Sequence, residues 1–267
     1  MSKAPNISAD YVSSGLFRLD GKVAIVTGGA SGMGEAMVHA LAQSGATVVI
    51  ADFDLDAAKA TAESVADRDY TLHTAQVDVA DKASVDALIA SVVEAHGHID
   101  VLVNSAGIAG RFPAEDFPED AYDRIIAVNL KGSFLMAQAV GRQMIAQGDG
   151  GSIINMASIG AFNAYPQASA YLQSKGGVLQ LTRSLALEWF DHGIRVNALA
   201  PTIYATSMMA KGAKKTTVTQ DFIDARQLID RMGEPHEMAG AAVFLASRAA
   251  KMVTGHTLAV DAGYLAV

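Results

Sequence analysis

The sequence predicts one α/β domain in which a doubly wound parallel sheet carries helices on both faces. Short continuous apolar runs, such as the one at 22–27, are typical of parallel strands that are buried on both sides. These runs alternate with helical stretches from end to end, without a linker or a break in composition. The length of 267 residues and the hydrophobic content of 51% allow a single large core. The domain is expected to span residues 18–267, after an N-terminal arm at residues 1–17.

Strands and helices are expected in alternation along the whole domain. The predicted strands are short apolar runs, and they cover residues 22–27, 47–50, 71–79, 99–103, 152–156, 194–199 and 257–260. The helices predicted between them cover the stretch from Gly34 to Gly45 and residues 55–66, 85–93, 121–147, 168–191 and 235–247. The third helix has the clearest apolar stripe, and Asp81 is its candidate N-cap.

Residues 202–231 interrupt this alternation between the sixth strand and the last helix. They contain Met208 and Met209, a short predicted helix at 221–228, and a basic patch formed by Lys211, Lys214 and Lys215. An insertion at the carboxyl end of a strand is where a segment covering a ligand would lie. We therefore interpret residues 202–231 as a lid over the substrate.

Composition excludes several classes of function. The net charge of −8 and the pI of about 5.3 disfavour nucleic acids and anionic membrane surfaces as partners, because both require a basic patch. We expect no signal peptide and no membrane span, since no sufficiently long apolar run occurs. The absence of cysteine removes thiolate chemistry and is compatible with the cytoplasm, where we expect the protein to be. His96 and His98 lack a third ligand nearby in the sequence, so no metal site is predicted.

A glycine-rich segment, Thr27–Gly34, joins the first strand to the first helix. Its glycines at 28, 32 and 34 allow a tight turn and the close approach of a phosphate to the helix N-terminus, which favours anions. The alternative is a purely structural turn. Because a strand precedes the segment and a helix follows it, we favour a dinucleotide-binding loop.

The acidic residues that end the second and third strands are candidates for contacts to a dinucleotide. Asp52 lies 18 residues after Gly34, near the distance at which an acidic residue meets the adenosine ribose. Its carboxylate would repel a 2′-phosphate, and no Arg or Lys occurs at 51–56, so the sequence favours NAD over NADP. The alternative for Asp52 is a helix N-cap. Asp78 could face the adenine or simply form a turn.

Two asparagine segments also point to this site. Asn104-Ser-Ala-Gly107 follows the fourth strand, where small residues let a ligand approach the backbone, although a simple turn would have the same composition. Asn129 lies inside a predicted helix although asparagine is a poor helix former. A core hydrogen bond to a neighbouring strand is the alternative explanation for Asn129.

Ser158, Tyr171 and Lys175 form the candidate catalytic group. On a helix Tyr171 and Lys175 are an i, i+4 pair, roughly 6 Å apart. A cation at that distance would lower the pKa of the phenol by roughly two units, which lets it exchange a proton near neutrality. A serine nucleophile is disfavoured because no Gly-x-Ser-x-Gly pattern surrounds Ser158. Separately, each residue could also be an ordinary loop, core or surface residue.

Together these motifs resemble the short-chain dehydrogenase/reductase family over residues 17–267. The segments that carry the resemblance are Thr27–Gly34, Asn104–Gly107, Asn129 in Val-Asn-Leu-Lys-Gly, Ser158, Tyr171, Lys175, Pro201 with Thr206, and Val260-Asp-Ala-Gly263. The resemblance implies a seven-stranded Rossmann-type sheet. It also implies that Tyr171 is the acid/base, that Ser158 orients the substrate oxygen, that Lys175 holds the nicotinamide ribose and lowers the tyrosine pKa, and that Asn129 anchors a water in a proton relay.

The resemblance also implies a set of cofactor contacts and an assembly. The cofactor contacts are Gly28, Ser31, Gly32, Met33, Gly34, Asp52, Phe53, Asp78, Val79, Asn104, Ala106, Gly107, Tyr171, Lys175, Pro201, Ile203 and Thr206. Family members are usually homotetramers or homodimers that pack through the two long helices beside the fifth strand, and a homotetramer is expected here. The sequence departs from the family pattern at Ser105, Thr202 and Ala262, where asparagine, glycine and glycine are usual.

The function expected from these features is NAD-dependent hydride transfer between nicotinamide and a secondary alcohol or ketone. The substrate is expected to be a polyol, a sugar or a small vicinal diol, because polar and aromatic side chains surround the serine and tyrosine. The substrate contacts expected are Ser158, Phe162, Asn163, Tyr165 and Tyr204, with Arg111, Phe112 and Gln167 as further pocket walls. Two alternatives are a 3-oxoacyl thioester reductase, which Asp52 disfavours, and a non-catalytic NAD sensor, which would lack the tyrosine or the lysine.

Overall fold

A computed structural model describes residues 14–206 and 226–267. Several expectations for the sequence fall outside these residues: most of the N-terminal arm, Met208 and Met209, and the basic patch at Lys211, Lys214 and Lys215. Of the short helix expected at 221–228, only the last three residues are described, and Gln227 and Leu228 are not helical. Ser14–Phe17, at the end of the expected arm, forms a 3₁₀ turn.

Seven parallel strands form one sheet, in the order β3-β2-β1-β4-β5-β6-β7. The strands are β1 (Val23–Thr27), β2 (Thr47–Asp52), β3 (Leu72–Gln76), β4 (Val101–Asn104), β5 (Gly151–Met156), β6 (Ile194–Pro201) and β7 (Thr257–Val260). The order reverses between β1 and β4, which opens a crevice at their carboxyl ends. The predicted fold class is confirmed.

Helices cover both faces of this sheet. They are α1 (Gly32–Gln43), α2 (Leu55–Glu63), α3 (Lys82–His96), α4 (Glu119–Ile126), α5 (Ser133–Gln147), α6 (Ser169–Trp189) and α7 (Ala239–Ala246). Alternate residues of β1 belong to different cores: Ile25 packs with α3, α5 and α6, whereas Val26 packs with α1 and α7. Both side chains are fully buried, which explains why the strand is apolar throughout.

The boundaries differ from the expectations at two functional positions. The long helix predicted at 121–147 is divided, because Ala127–Gly132 between α4 and α5 is a π-helical segment. The third strand ends at Gln76, before the predicted Val79, because the Asp78 carboxylate accepts the Ala80 N–H at 2.9 Å and starts a turn. Asp81 caps α3 as predicted, by accepting the N–H of Ala83.

The remaining differences are small. Residues 235–238 form a 3₁₀ turn before α7, so the last predicted helix is split.

Within 14–206 and 226–267, no helix combines the length and the apolar character that a membrane crossing requires.

Candidate active site

The glycine loop lies at the crevice between β1 and β4. Gly28 has a φ of +63°, and a Cβ there would lie 2.8 Å from the backbone of Ala106. A Cβ at Gly34 would lie 2.0 Å from the carbonyl oxygen of Gly28, and Gly32 has a φ of +57°. No other residue type fits Gly28 and Gly34 without displacing the loop, so the glycines set its shape.

The N-terminus of α1 opens from this loop. Its N-cap, Ser31, is exposed and its side chain makes no capping hydrogen bond, so the first amides of the helix are available to an anion. Met33, in the first turn, is half-buried against the core. A glycine cradle beside open helix amides fits a dinucleotide pyrophosphate.

Thr27 is a residue of this site whose role the sequence did not reveal. Its hydroxyl oxygen accepts the N–H of Ser105 at 3.1 Å and the N–H of Ala106 at 3.2 Å. The threonine therefore ties the glycine loop to the turn after β4. A polar residue at the end of a buried apolar strand was the only signal for this role.

Asp52 lies beside the loop at the end of β2. One carboxylate oxygen accepts the N–H of Ala30 at 3.1 Å, and the other accepts the N–H of Asp54 at 3.1 Å. The N-cap of α2 is Asp54, whose side chain accepts the N–H of Ala57. The alternative explanation of Asp52 as that N-cap is therefore wrong, and its carboxylate is held at the rim of the crevice.

The residues after β2 and β3 complete this side of the crevice. Phe53 is largely exposed. Asp78 forms the turn described above and lies 3.6 Å from the guanidinium of Arg124, which places an ion pair at the edge of the site. Val79 is buried, and a Cβ at Gly132 would lie 2.7 Å from its side chain, so Val79 packs against the π-helical segment.

The turn after β4 connects the cofactor side to the catalytic side. The Asn104 side chain is buried and donates to Asn155 at 2.9 Å and to the carbonyl oxygen of Ser133 at 3.1 Å. The side-chain nitrogen of Asn104 is therefore committed to hydrogen bonds within the core. A Cβ at Gly107 would lie 3.4 Å from the side-chain oxygen of Asn129 and 3.8 Å from Nζ of Lys175.

Asn129 lies within the π-helical segment and is 1% exposed. Its side chain accepts the N–H of Ile108 at 2.8 Å and donates to the carbonyl oxygen of Ile108 at 2.9 Å and to Oγ of Ser174 at 3.0 Å. The hydroxyl of Ser174 donates to the carbonyl oxygen of Tyr171 at 2.7 Å. A wider helical turn of this kind is frequent at functional sites. Asn129 therefore makes both the core hydrogen bonds and a link to the catalytic helix.

Ser158, Tyr171 and Lys175 come together at the carboxyl end of β5. Ser158 is buried and accepts the N–H of Gly160 at 3.0 Å. Lys175 donates to the carbonyl oxygen of Met156 at 2.6 Å, and its Nζ lies 5.7 Å from the centre of the Tyr171 ring. The expected spacing of the tyrosine and lysine is confirmed.

The electrostatics of this group differ from the expectation. Burial raises the pKa of Tyr171, although a hydrogen bond with Ser158 and the positive charge of Arg111 lower it. Burial also lowers the pKa of Lys175 to about 8. The expected lowering of the Tyr171 pKa by the nearby Lys175 is not found, because desolvation of the phenol dominates.

Three of the expected substrate residues, Phe162, Asn163 and Tyr165, lie on the connection that follows Ser158, whereas Tyr204 lies elsewhere. The Tyr165 hydroxyl and the Ser158 hydroxyl both flank Gly160, at 3.2 Å and 3.4 Å from the position of a Cβ there, so Tyr165 lies beside the catalytic serine. Phe162 is exposed and Asn163 is half-buried on the same connection. The guanidinium of Arg111 lies 4.8 Å from the centre of the Tyr165 ring and donates to the carbonyl oxygen of Pro166.

Tyr204 lies elsewhere, against the last strand. It is 5% exposed and its hydroxyl donates to the carbonyl oxygen of Val260 at 3.1 Å. Burial, aided by the negative charges of Glu237 and Asp261, raises its pKa to about 12. The structure therefore gives Tyr204 a packing role, and the expectation that it binds substrate is not supported.

Comparison with known proteins agrees with this geometry. A family model described as enoyl-(acyl carrier protein) reductase matches residues 28–265. D-Threitol dehydrogenase of Mycolicibacterium smegmatis is 42% identical over 266 residues, which cover 99% of both chains. NAD-dependent glycerol dehydrogenase of Listeria innocua is 42% identical over 250 residues, which cover 93% of this chain and 95% of the relative.

A solved structure matches equally well. Gluconate 5-dehydrogenase from Burkholderia cenocepacia, in complex with NADP and tartrate, is 38% identical with a TM-score of 0.89, over 94% of this chain and 98% of that one. The chain belongs to the short-chain dehydrogenase/reductase family. It is an oxidoreductase that acts on CH–OH groups.

The dehydrogenase departs from its family at Thr202, and the structure shows where this side chain goes. Its hydroxyl donates to Oε1 of Gln227 at 2.7 Å. Pro201 is buried at the end of β6, and Thr206 lies against the glycine loop, 3.3 Å from the position of a Cβ at Gly32. Ile203 is half-buried between them. This stretch therefore reaches from the sheet to the cofactor loop.

Two further residues of the dehydrogenase site were missed or undervalued by sequence reasoning. Ser174 joins Asn129 to the catalytic helix, and its position between Tyr171 and Lys175 was the available signal. Arg111 was expected only as a pocket wall, but its charge acts on both Tyr165 and Tyr171. Its effect depends on a contact between two distant loops, which no local pattern encodes.

Proposed function

We propose that the protein is an NAD-dependent dehydrogenase of polyols, sugars or small vicinal diols. The observation that carries the proposal is the convergence of Ser158, Tyr171, Lys175 and Asn129 beside the glycine cradle. A serine hydroxyl and a phenol that share a hydrogen bond can hold one alcohol oxygen between them. Bound NAD would accept the hydride from the alcohol carbon.

Tyr171 would exchange the proton at the substrate oxygen. Its raised pKa keeps the phenol protonated, which suits donation to a ketone oxygen in the reductive direction. The hydrogen bond with Ser158 and the charge of Arg111 favour the phenolate, which is needed for oxidation. Ser158 would add a hydrogen bond where charge develops on that oxygen.

Lys175 and Asn129 would hold this acid/base in place. The Lys175 ammonium is anchored on the Met156 carbonyl oxygen and lies 5.7 Å from the centre of the Tyr171 ring. It would also bind a hydroxyl of the nicotinamide ribose. Asn129, through Ser174, fixes the backbone of Tyr171. Oδ1 of Asn129 and Nζ of Lys175 both flank Gly107, and a proton relay would use this pair.

NAD is favoured over NADP by Asp52. Both oxygens of its carboxylate are held by backbone N–H groups, so the negative charge stays at the rim where the adenosine ribose would lie. A 2′-phosphate there would meet a fixed carboxylate. One relative is named NAD-dependent, whereas a related structure contains NADP. The kcat/KM values for NAD and NADP with one substrate test the preference, and equal values would contradict it.

The substrate class is supported by the Tyr165 hydroxyl near Ser158, and by relatives named for threitol and glycerol. The test is turnover of NAD with glycerol, threitol, sorbitol and gluconate, and with a simple secondary alcohol that lacks a second hydroxyl. Preference for the diols supports the proposal. Preference for a β-ketoester with NADPH would favour the thioester reductase instead, and no turnover with any compound would favour a sensor.

We also propose that the dehydrogenase is a homotetramer. Phe134 and Ile145 on α5 and Leu187 on α6 are exposed apolar side chains on the two helices beside β5, and Phe190 follows them. Such side chains are typical of subunit interfaces. Light scattering coupled to size exclusion should give four subunits, and Leu187→Lys should give fewer.

The cytoplasmic location stays a prediction.

A further inference from the structure

The buried side-chain amide of Gln227 makes three hydrogen bonds in the loop that precedes α7. Gln227 is 8% exposed. Its Nε2 donates to the carbonyl oxygens of Ile229 at 3.2 Å and Arg231 at 2.9 Å, and its Oε1 accepts the hydroxyl of Thr202 at 2.7 Å. The amide therefore organises its own loop and also binds the first residue after β6.

The same loop pairs with the residues that follow Thr202. The N–H of Gly233 donates to the carbonyl oxygen of Ile203 at 2.9 Å, and the N–H of Ala205 donates to the carbonyl oxygen of Gly233 at 2.8 Å. A Cβ at Gly233 would lie 2.7 Å from the Tyr204 ring, so the two segments are in close contact. The loop organised by Gln227 thus supports the whole path from 202 to 205.

This path ends on the cofactor loop. The Thr206 side chain lies beside Gly32, 3.3 Å from the position that a Cβ would take there, and Gly32 is the first residue of α1 and has a left-handed backbone. A displacement of residues 202–205 would therefore move Thr206 relative to the amides that face a pyrophosphate. Gln227 does not itself lie at the glycine loop, so any effect on a cofactor must pass through this stretch.

We propose that Gln227 is a positioning residue for cofactor binding, acting through Thr202 on residues 202–206. The proposal rests on the proposed function, in which Gly32 and Thr206 hold NAD. It also explains the departure at Thr202, because glycine at that position has no hydroxyl to donate to the amide. Removing either partner leaves a buried polar group without a hydrogen bond. The free-energy cost is larger than for an exposed group, which water can still pair.

The first test compares Thr202→Val with Thr202→Ser. Valine keeps the shape of threonine but loses the hydroxyl, whereas serine keeps the hydroxyl. We expect the Kd for NADH, measured by fluorescence titration, to rise about tenfold in Thr202→Val and to stay within about twofold of wild type in Thr202→Ser. The kcat at saturating NAD should stay close to wild type in both variants, because the catalytic side chains are untouched.

Gln227→Glu provides an independent variant. Glutamate keeps an acceptor for Thr202 but cannot donate to the carbonyl oxygens of Ile229 and Arg231. We expect weaker NADH binding with little change in kcat. A purely structural role would lower the melting temperature and leave the NADH Kd unchanged. That result in Thr202→Val or in Gln227→Glu would overturn the proposal. If wild type binds neither NADH nor NADPH, the proposed function fails instead.

Discussion

The two halves of the sheet's carboxyl edge hold their functional groups in different ways. Beside β1 and β2 the groups are the carboxylate of Asp52 and backbone amides, whose loop is shaped by glycines such as Gly28 that no larger residue can replace. Beside β4 and β5 they are side chains that the fold buries: Asn129 is 1% exposed and Lys175 is 6% exposed. The first half therefore depends on backbone conformation, and the second depends on burial and hydrogen bonding.

This difference predicts different consequences of mutation. A change in the glycine half should alter which cofactor binds and how tightly, because binding uses the path of the chain. A change in the buried half should alter turnover, because burial sets the protonation states of Tyr171 and Lys175. Substitutions at four positions test whether the two halves differ in this way.

Tyr171→Phe should remove turnover and spare cofactor binding. The variant loses only the proton-exchanging hydroxyl, so kcat should fall by about a thousandfold or more. The NADH Kd should stay within about threefold of wild type. Steady-state kinetics and fluorescence titration measure the two quantities. Tyr165→Phe is the matched control, since it removes a neighbouring phenol, and its kcat should fall far less. Unchanged activity in Tyr171→Phe would refute the assignment.

Gly28→Ala should weaken cofactor binding at the glycine loop, in the half of the site beside β1 and β2. A Cβ at this position would lie 2.8 Å from the Ala106 backbone, and the φ of +63° is strained for alanine. We expect the NADH Kd to rise by about a hundredfold, or the protein to be unstable. Gly240→Ala, at an exposed position of α7 with nothing within 4 Å of a Cβ there, should stabilise the protein by about 1 kcal/mol. Normal NADH binding by Gly28→Ala would show that the loop is not the cofactor cradle.

Asp52→Ala should change the choice of cofactor while leaving turnover in place. We expect the ratio of kcat/KM for NAD to that for NADP to fall by about tenfold or more, because the fixed carboxylate is lost. Asp54→Ala is the control, since Asp54 caps α2. It should cost about 1 kcal/mol of stability without changing the ratio. An unchanged ratio in Asp52→Ala would remove the argument for NAD.

The smallest of the predicted effects is the pH dependence of stability that the buried Lys175 causes, and Lys175→Met is the reference variant for measuring it. The folded-state pKa of Lys175 is lowered to about 8 from its ordinary 10.5, so the unfolded chain holds the proton more tightly. The lysine therefore destabilises the fold below pH 8, and this cost declines as pH rises toward 10.5. Urea unfolding should show the stability of wild type, relative to Lys175→Met, rising between about pH 8 and 9.5. A difference that is independent of pH would contradict the buried lysine.

Much of the fold followed from local patterns. The strand at 23–27 was recognisable because a parallel strand buried on both faces is apolar throughout. Asp81 was recognisable because a cap acts within its own turn. The glycine loop was recognisable because a tight turn between a strand and a helix requires residues without a Cβ. The π-helical segment at Asn129 was not, since it depends on hydrogen bonds to Ile108 and Ser174, which are far away in the sequence.

The alternation of strands and helices, the glycine loop, and the spacing of Tyr171 and Lys175 could all be predicted from the sequence, because each depends on neighbours in the chain. Tertiary structure decided the protonation of these two side chains, since burial is a property of the packed domain. It also decided that Tyr204 packs against β7, that Arg111 acts on Tyr171, and that Thr202 meets Gln227. Those contacts join segments between 25 and 60 positions apart, a distance over which no local pattern can specify a neighbour.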